Sequence, residues 1–199
     1  MEGHVAGEQA AAGESKKETA VKALLVIDVQ RGVYAWEGEE VHEGRALVAT
    51  IDRLIAAARA AGSPVFFVQH EDEDIVAESP LWDLVDGLDV RRDQDRFVRK
   101  THGSAFHDTD LAETLAQLGV DEVVVCGLQS EFCVDSTVRQ AVTLGLGVTL
   151  VADAHSTFDT DILKAPRIIA HHNRTLSSYV TVARSDEVEF EPSAEGTQA

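Results

Sequence analysis

Short apolar runs alternate with stretches of helical periodicity along most of the chain. That alternation constrains the fold more than any other feature. KALLVID (22–28) is a continuous apolar run ending at an aspartate, the pattern of a strand buried on both faces. Residues 41–62 carry apolar side chains at helical spacing and stop at Gly62, a C-cap residue. Pro64 opens a second strand that runs to His70. DLAETLAQLG (110–119) reads as a short helix, DEVVVCG (121–127) as a buried strand and 133–145 as a helix. VTLVADA (148–154) reads as a strand and 161–179 as mostly helix, with Pro166 marking a new first turn or a kink. VTVARS follows as a late strand. This order predicts an α/β fold, helices layered on a mainly parallel sheet with right-handed crossovers. Functional groups in such sheets gather beyond the carboxyl ends of the strands. The residues to inspect are therefore Asp28, His70, Lys100, the segment 127–133 and Asp153.

A length of 199 residues favours one domain with a real core. We expect that domain at 21–190, between an Ala-, Gly- and Glu-rich tail at 1–20 and a second flexible tail at 191–199. Lys and Arg number 17 against 35 Asp and Glu, a formal charge of −18. Such a surface repels phosphate backbones, so neither nucleic acid nor an anionic membrane is an expected partner. A neutral or cationic small-molecule substrate suits it better. No apolar run is long enough to span a membrane and the first residues lack a signal-peptide core, so cytoplasmic residence is the expectation. Two cysteines, Cys126 and Cys133, do not suggest a disulfide framework. Cys126, inside its strand, reads as core filler.

VVVCGLQSEFCVDST (123–137) carries the chemistry. A buried strand ends at Gly127, and after a short turn Cys133 arrives where a helix begins. Unpaired N–H groups and the positive dipole end there favour a thiolate and can receive an oxyanion. A nucleophile so placed is expected to alkylate fast at pH 7, whereas a small buried hydrophobe would not. Asp28, at the mouth of the sheet, suits a general base toward that thiol, though a cap or ion pair would look the same. Lys100, closing RFVRK, would hold a neighbouring carboxylate and thiol in their charged forms; on a surface it would be a solvated charge.

DVQRG, K-T-H-G-S-A-F, G-L-Q-S-E-F-C-V-D-S-T-V-R-Q-A, D-A-H-S-T-F-D and I-I-A-H-H-N-R-T-L, in that order and spacing, resemble the isochorismatase-like cysteine hydrolases over residues 22–184. The resemblance implies a three-layer αβα Rossmann-like sandwich with a six-stranded, mainly parallel sheet. It implies a catalytic trio of Cys133, Asp28 and Lys100. It also implies a non-proline cis peptide between Leu128 and Gln129, with the backbone N–H groups of Gln129 and Cys133 as oxyanion hole. The implied reaction is hydrolysis of a C–N bond in a small amide, lactam or ureide through a thioester, without a cofactor, in a homodimer or homotetramer. Members include nicotinamidases, N-carbamoylsarcosine amidases, ureidoacrylate amidohydrolases, streptothricin hydrolases and isochorismatases. The alternatives are a nicotinamidase, or a member that only binds or assembles.

Some positions depart from the family pattern. The Asp-x-His pair that holds a metal in nicotinamidases is missing from VQHEDEDIVAESPLW, so no metal is expected. His70 with Glu71, Asp72, Glu73 and Asp74 still makes a loop that either gathers a cation or is simply solvated. The acidic surface points toward a cationic amide such as streptothricin. Tyr34, Trp36, Trp82, Phe106 and Phe132 flank the candidate loops and, with Gln30, His70 and Glu131, make the expected substrate pocket. His155 reads as ordering a loop, and His171 and His172 as structural. The only G-x-G, Gly145-Leu146-Gly147, runs from helix into strand, the wrong way round for a dinucleotide site. Gln30 stands where an Asp-nucleophile phosphatase wants a second acid.

Overall fold

The computed structural model describes residues 20–36 and 39–190. The expected tails therefore lie outside the described residues, Ala20 excepted. The chain enters β1 (Lys22–Ile27), makes a single turn α1 (Arg31–Tyr34), then β2 (Ala35–Trp36) and β3 (Glu39–Glu40). It continues through α2 (Gly44–Ala60), β4 (Val65–His70), β5 (Arg96–Lys100), α3 (Leu111–Gln117) and β6 (Glu122–Leu128). A π-turn over Ser130–Val134 leads into α4 (Asp135–Thr143), followed by β7 (Gly147–Ser156), α5 (Ala165–Leu176) and β8 (Thr181–Ala183).

Six strands form one sheet in the order β5-β4-β1-β6-β7-β8, and every neighbouring pair is parallel. β2 and β3 make a separate antiparallel ribbon. Alternate residues of β1 feed two cores, as a strand covered on both faces requires. Ala23, Leu25 and Ile27 pack with Leu111 and Leu115 of α3 and Val138 and Ala141 of α4. Leu24 and Val26 pack with Leu47, Ile51, Leu54 and Ile55 of α2. The result is the three-layer αβα sandwich anticipated above.

From β1 the chain builds outward through β4 to β5, then returns to lay β6 on the other side of β1. The order reverses between β1 and β6, and open sheets form their clefts beyond the strand ends at such a point. Ile27 and Gly127 are paired there. Gly127 has φ 120°, and a Cβ on it would stand 2.1 Å from the Ile27 carbonyl oxygen, so only glycine lets the two strand ends approach. Asp28 then leaves the strand with φ 51°, a left-handed conformation that Asp tolerates better than most residues.

Several boundaries differ from the sequence expectation. α4 begins at Asp135, so Cys133 sits inside the π-turn rather than at the start of an α-helix. The Gln129 carbonyl accepts the N–H groups of both Phe132 and Val134, which widens the turn. α5 starts at Ala165 with Pro166 in its first turn, where a missing N–H costs nothing. Lys100 is the last residue of β5, in register with His70.

Candidate active site

Asp28, Lys100 and Cys133 meet at the switch point although β1, β5 and the π-turn are far apart in sequence. Lys100 Nζ lies 2.7 Å from Asp28 Oδ2, 3.1 Å from the His102 carbonyl oxygen, 3.3 Å from Cys133 Sγ and 3.3 Å from His70 Nδ1. An ammonium has three hydrogens, so four acceptors surround three donors and the two longer contacts share. The side chains of Asp28 and Lys100 are 1% and 0% exposed, and burying either one without its partner would be costly. Asp28 Oδ1 is also buried but has no hydrogen-bond partner. The same carboxylate acts on the Cys133 thiol, raising its pKa by charge and by a side-chain hydrogen bond.

Cys133 is half-buried, and burial pushes its thiol up to about 12; the Asp28 carboxylate adds to the rise and Lys100 opposes it. This corrects the expected low pKa. Desolvation prevails because the Lys100 ammonium, which would lower the pKa, is paired with the Asp28 carboxylate, which raises it. The resting sulfur is a protonated thiol, and fast alkylation at pH 7 is no longer the expected mark of a nucleophile. Cys126 is wholly buried, and desolvation raises its thiol further.

A cleft of about 290 Å³ opens over this group, lined by Asp28, Val33, His70, Asp72, Ile75, Gly103, Gln129, Phe132 and Cys133. The Leu128–Gln129 peptide bond is cis. Gln129 and Cys133 face the same cleft. His70 spans the wall between Lys100 and Asp72: its Nε2 is 3.3 Å from Asp72 Oδ2. The Asp72 carboxyl is held below the usual range chiefly by the Ile75 backbone N–H, with the Asp74 N–H and His70 assisting.

Of the expected pocket residues, His70 and Phe132 line the cleft. Gln30 does not; it is fully buried, donating to the His70 and Trp82 carbonyls and accepting the His70 N–H at 2.7 Å, so it ties the end of β1 to that of β4. Tyr34 lies in a different hollow of about 510 Å³ with Arg31 and Arg45. Phe106 is core, sharing the cluster of Ile27 and Val138. Glu131 turns away to accept from Thr157 Oγ1 at 2.8 Å. Trp82 is half-buried outside the cleft, and the side chain of Trp36 lies outside the described residues. Sequence reasoning missed Val33, Ile75 and Gly103 as cleft residues. Their signal was position alone, each just beyond a strand end.

Half of the acidic loop after β4 is engaged, while the Glu73 and Asp74 side chains are exposed. Glu71 pairs with Arg99, and Asp72 is taken by His70 and two backbone N–H groups. Among the described residues, the group able to hold a metal is His102, His107 and Asp108, all exposed. Its two imidazoles stack in parallel with ring centres 4.0 Å apart.

The sheet topology agrees with what comparison with known proteins finds. Residues 22–166 match the isochorismatase domain, and the chain belongs to that family of hydrolases. Two streptothricin hydrolases of Streptomyces noursei are 41% and 38% identical to it, each over 87% of this chain. The chain spans 69% of the length of the first and 63% of the second. A crystal structure of an isochorismatase family protein superposes with a TM-score of 0.78 at 34% identity, covering 81% of this chain and 96% of that one. Among the described residues no helix is long and apolar enough to cross a membrane.

Proposed function

We propose that the protein hydrolyses a C–N bond of a small amide, lactam or ureide, with Cys133 as nucleophile. The observation that carries this reading is the Lys100 ammonium set 2.7 Å from Asp28 and 3.3 Å from the Cys133 sulfur at the floor of a cleft. Because the thiol rests protonated, its proton leaves during attack. Asp28 Oδ1, the open carboxylate oxygen, takes the proton as sulfur bonds to the carbonyl carbon. Lys100 pairs with the Asp28 carboxylate before transfer and steadies the sulfur during it. The carbonyl oxygen gains charge opposite the backbone N–H groups of Gln129 and Cys133. The C–N bond then breaks, Asp28 returns the proton to the departing amine, and a thioester remains. Water, deprotonated by Asp28, cleaves the thioester and frees the thiol and the acid.

The cleft favours a cationic or neutral substrate over an anionic one. Its floor pairs one negative with one positive charge, its wall adds ionised Asp72, and none of its lining residues is Arg or Lys. A carboxylate in the substrate would find no counter-ion there. The two streptothricin hydrolase relatives make a cationic lactam the first substrate to try. The test is a screen of small amides, ureides and streptothricin-type lactams for amine or ammonia release, with Cys133→Ala as control. Full activity in that variant would refute the mechanism. A preference for anionic substrates would refute the charge argument.

A further inference from the structure

β7 breaks register with β6 beside the π-turn that carries Cys133. Leu150 lies opposite Val125, yet His155 lies opposite Gly127, so residues 151–154 bulge against Cys126 alone. The bulge leaves the Ala152 carbonyl to be capped from α5, where Asn173 Nδ2 donates to it at 3.0 Å. Just past the bulge, His155 is buried between two polar groups. Its Nε2 is 2.8 Å from Asn173 Oδ1, and its Nδ1 is 2.8 Å from Ser130 Oγ. Ser130 is fully buried and is the first residue of the π-turn.

This chain of contacts has one consistent set of protons. Asn173 must present its NH₂ to the Ala152 carbonyl, so its oxygen faces His155 as an acceptor. His155 Nε2 therefore carries the hydrogen. Burial pushes the His155 imidazole down to about 4, against the Asn173 bond and Asp153 and with the help of nearby His172, so the ring is neutral and Nδ1 is bare. The Ser130 hydroxyl must then donate to Nδ1. A buried hydroxyl whose direction is set in this way anchors the start of the turn to β7 and α5.

We propose that His155, locked as the Nε2–H tautomer by Asn173, is a positioning residue that accepts the Ser130 hydroxyl and so holds the turn presenting Cys133. The proposal deepens the hydrolase reading above and rests on it only for its kinetic consequence. Two motifs that the reaction itself does not use, D-A-H-S-T-F-D and I-I-A-H-H-N-R-T-L, thereby acquire a shared purpose.

The test exploits two amide replacements of one histidine in the full-length protein. Asparagine puts an oxygen where Nδ1 stands, preserving the acceptor for Ser130. Glutamine puts an amide nitrogen where Nε2 stands, preserving the donor to Asn173 but losing Ser130. Nitrogen-detected NMR of His155 should show Nε2 protonated and Nδ1 bare; the opposite tautomer overturns the proposal. Backbone hydrogen exchange over 129–134 should quicken roughly tenfold in His155→Gln and Ser130→Ala, the effect of one lost buried hydrogen bond, and stay near wild type in His155→Asn. Equal exchange in the two histidine variants overturns it, because a merely space-filling histidine would not distinguish them. On any amide found by the screen, kcat should fall in the same order with KM unchanged. If the wild type hydrolyses nothing, the hydrolase reading fails while NMR and exchange still decide this one.

Discussion

β5 carries a charge cluster at each end, and the two clusters are built to opposite rules. At its entry, Arg59 of α2 forks onto Asp95 at 2.6 Å and 3.2 Å and onto the Asp89 carboxylate at 2.7 Å. Arg59 also donates to the Asp89 carbonyl, and the Arg91 N–H adds a further bond to Asp95. Both Asp95 oxygens and all three Arg59 nitrogens are engaged there. At the exit of β5, Lys100 meets Asp28 and Cys133 in deeper burial, yet Asp28 Oδ1 is left without a partner and the thiol keeps its proton. A saturated cluster has nothing to offer a substrate and serves to lock α2 to the loop before β5. The cluster at the exit shares its ammonium with a thiol at the floor of a cleft. What separates the two ion pairs is burial and the thiol beside the second, not the charges.

The sharpest way to probe the contrast is to remove the sulfur. Cys133→Ala should reduce hydrolysis by about 10⁴-fold or more without altering the fold, read by amine release and circular dichroism. Next comes the open oxygen. Asp28→Asn should cost roughly 10²–10⁴ in kcat, the usual range for a general base. Because the Asp28 carboxylate raises the Cys133 pKa, removing its charge should move the alkylation profile of Cys133 to lower pH. Faster alkylation with slower turnover in one variant marks a base rather than a support, and an unmoved profile would break that assignment.

Stability separates the two clusters as well. Lys100→Met leaves a buried carboxylate unpaired and should cost about 3–5 kcal/mol in urea unfolding, much of it recovered in the Asp28→Asn/Lys100→Met double variant. The smallest effect belongs to the saturated cluster. Arg59→Lys keeps the charge but loses the fork, and should cost about 1–2 kcal/mol with hydrolysis unchanged. If Arg59→Lys lowered turnover as much as Lys100→Met, the two ends of β5 would not differ as described.

Much of this was legible in the chain because the determining patterns are local. The double burial of β1 showed in KALLVI, whose every residue but the first is buried. The class of sheet followed from the order of elements, and the trio from motifs whose spacing resembles one family. The cleft wall was less legible. Gln30 and Glu131 sit next to the trio in sequence, but Gln30 bonds to His70 and Trp82, and one Glu131 oxygen accepts from Thr157, partners distant along the chain. Tyr34 leaves the cleft because it packs on the start of α2, where a Cβ on Gly44 would stand 2.2 Å from its hydroxyl.

The sequence by itself determined which segments pair and which faces are apolar, since burial periodicity is a property of neighbouring residues. Only the tertiary structure decided the direction of the Cys133 pKa shift, the surroundings of the buried Asp28 carboxylate and the contact between Ser130 and His155. Each of those is set by how far water is excluded and which distant group comes within bonding distance, and both are products of the packed sheet rather than of any stretch of chain.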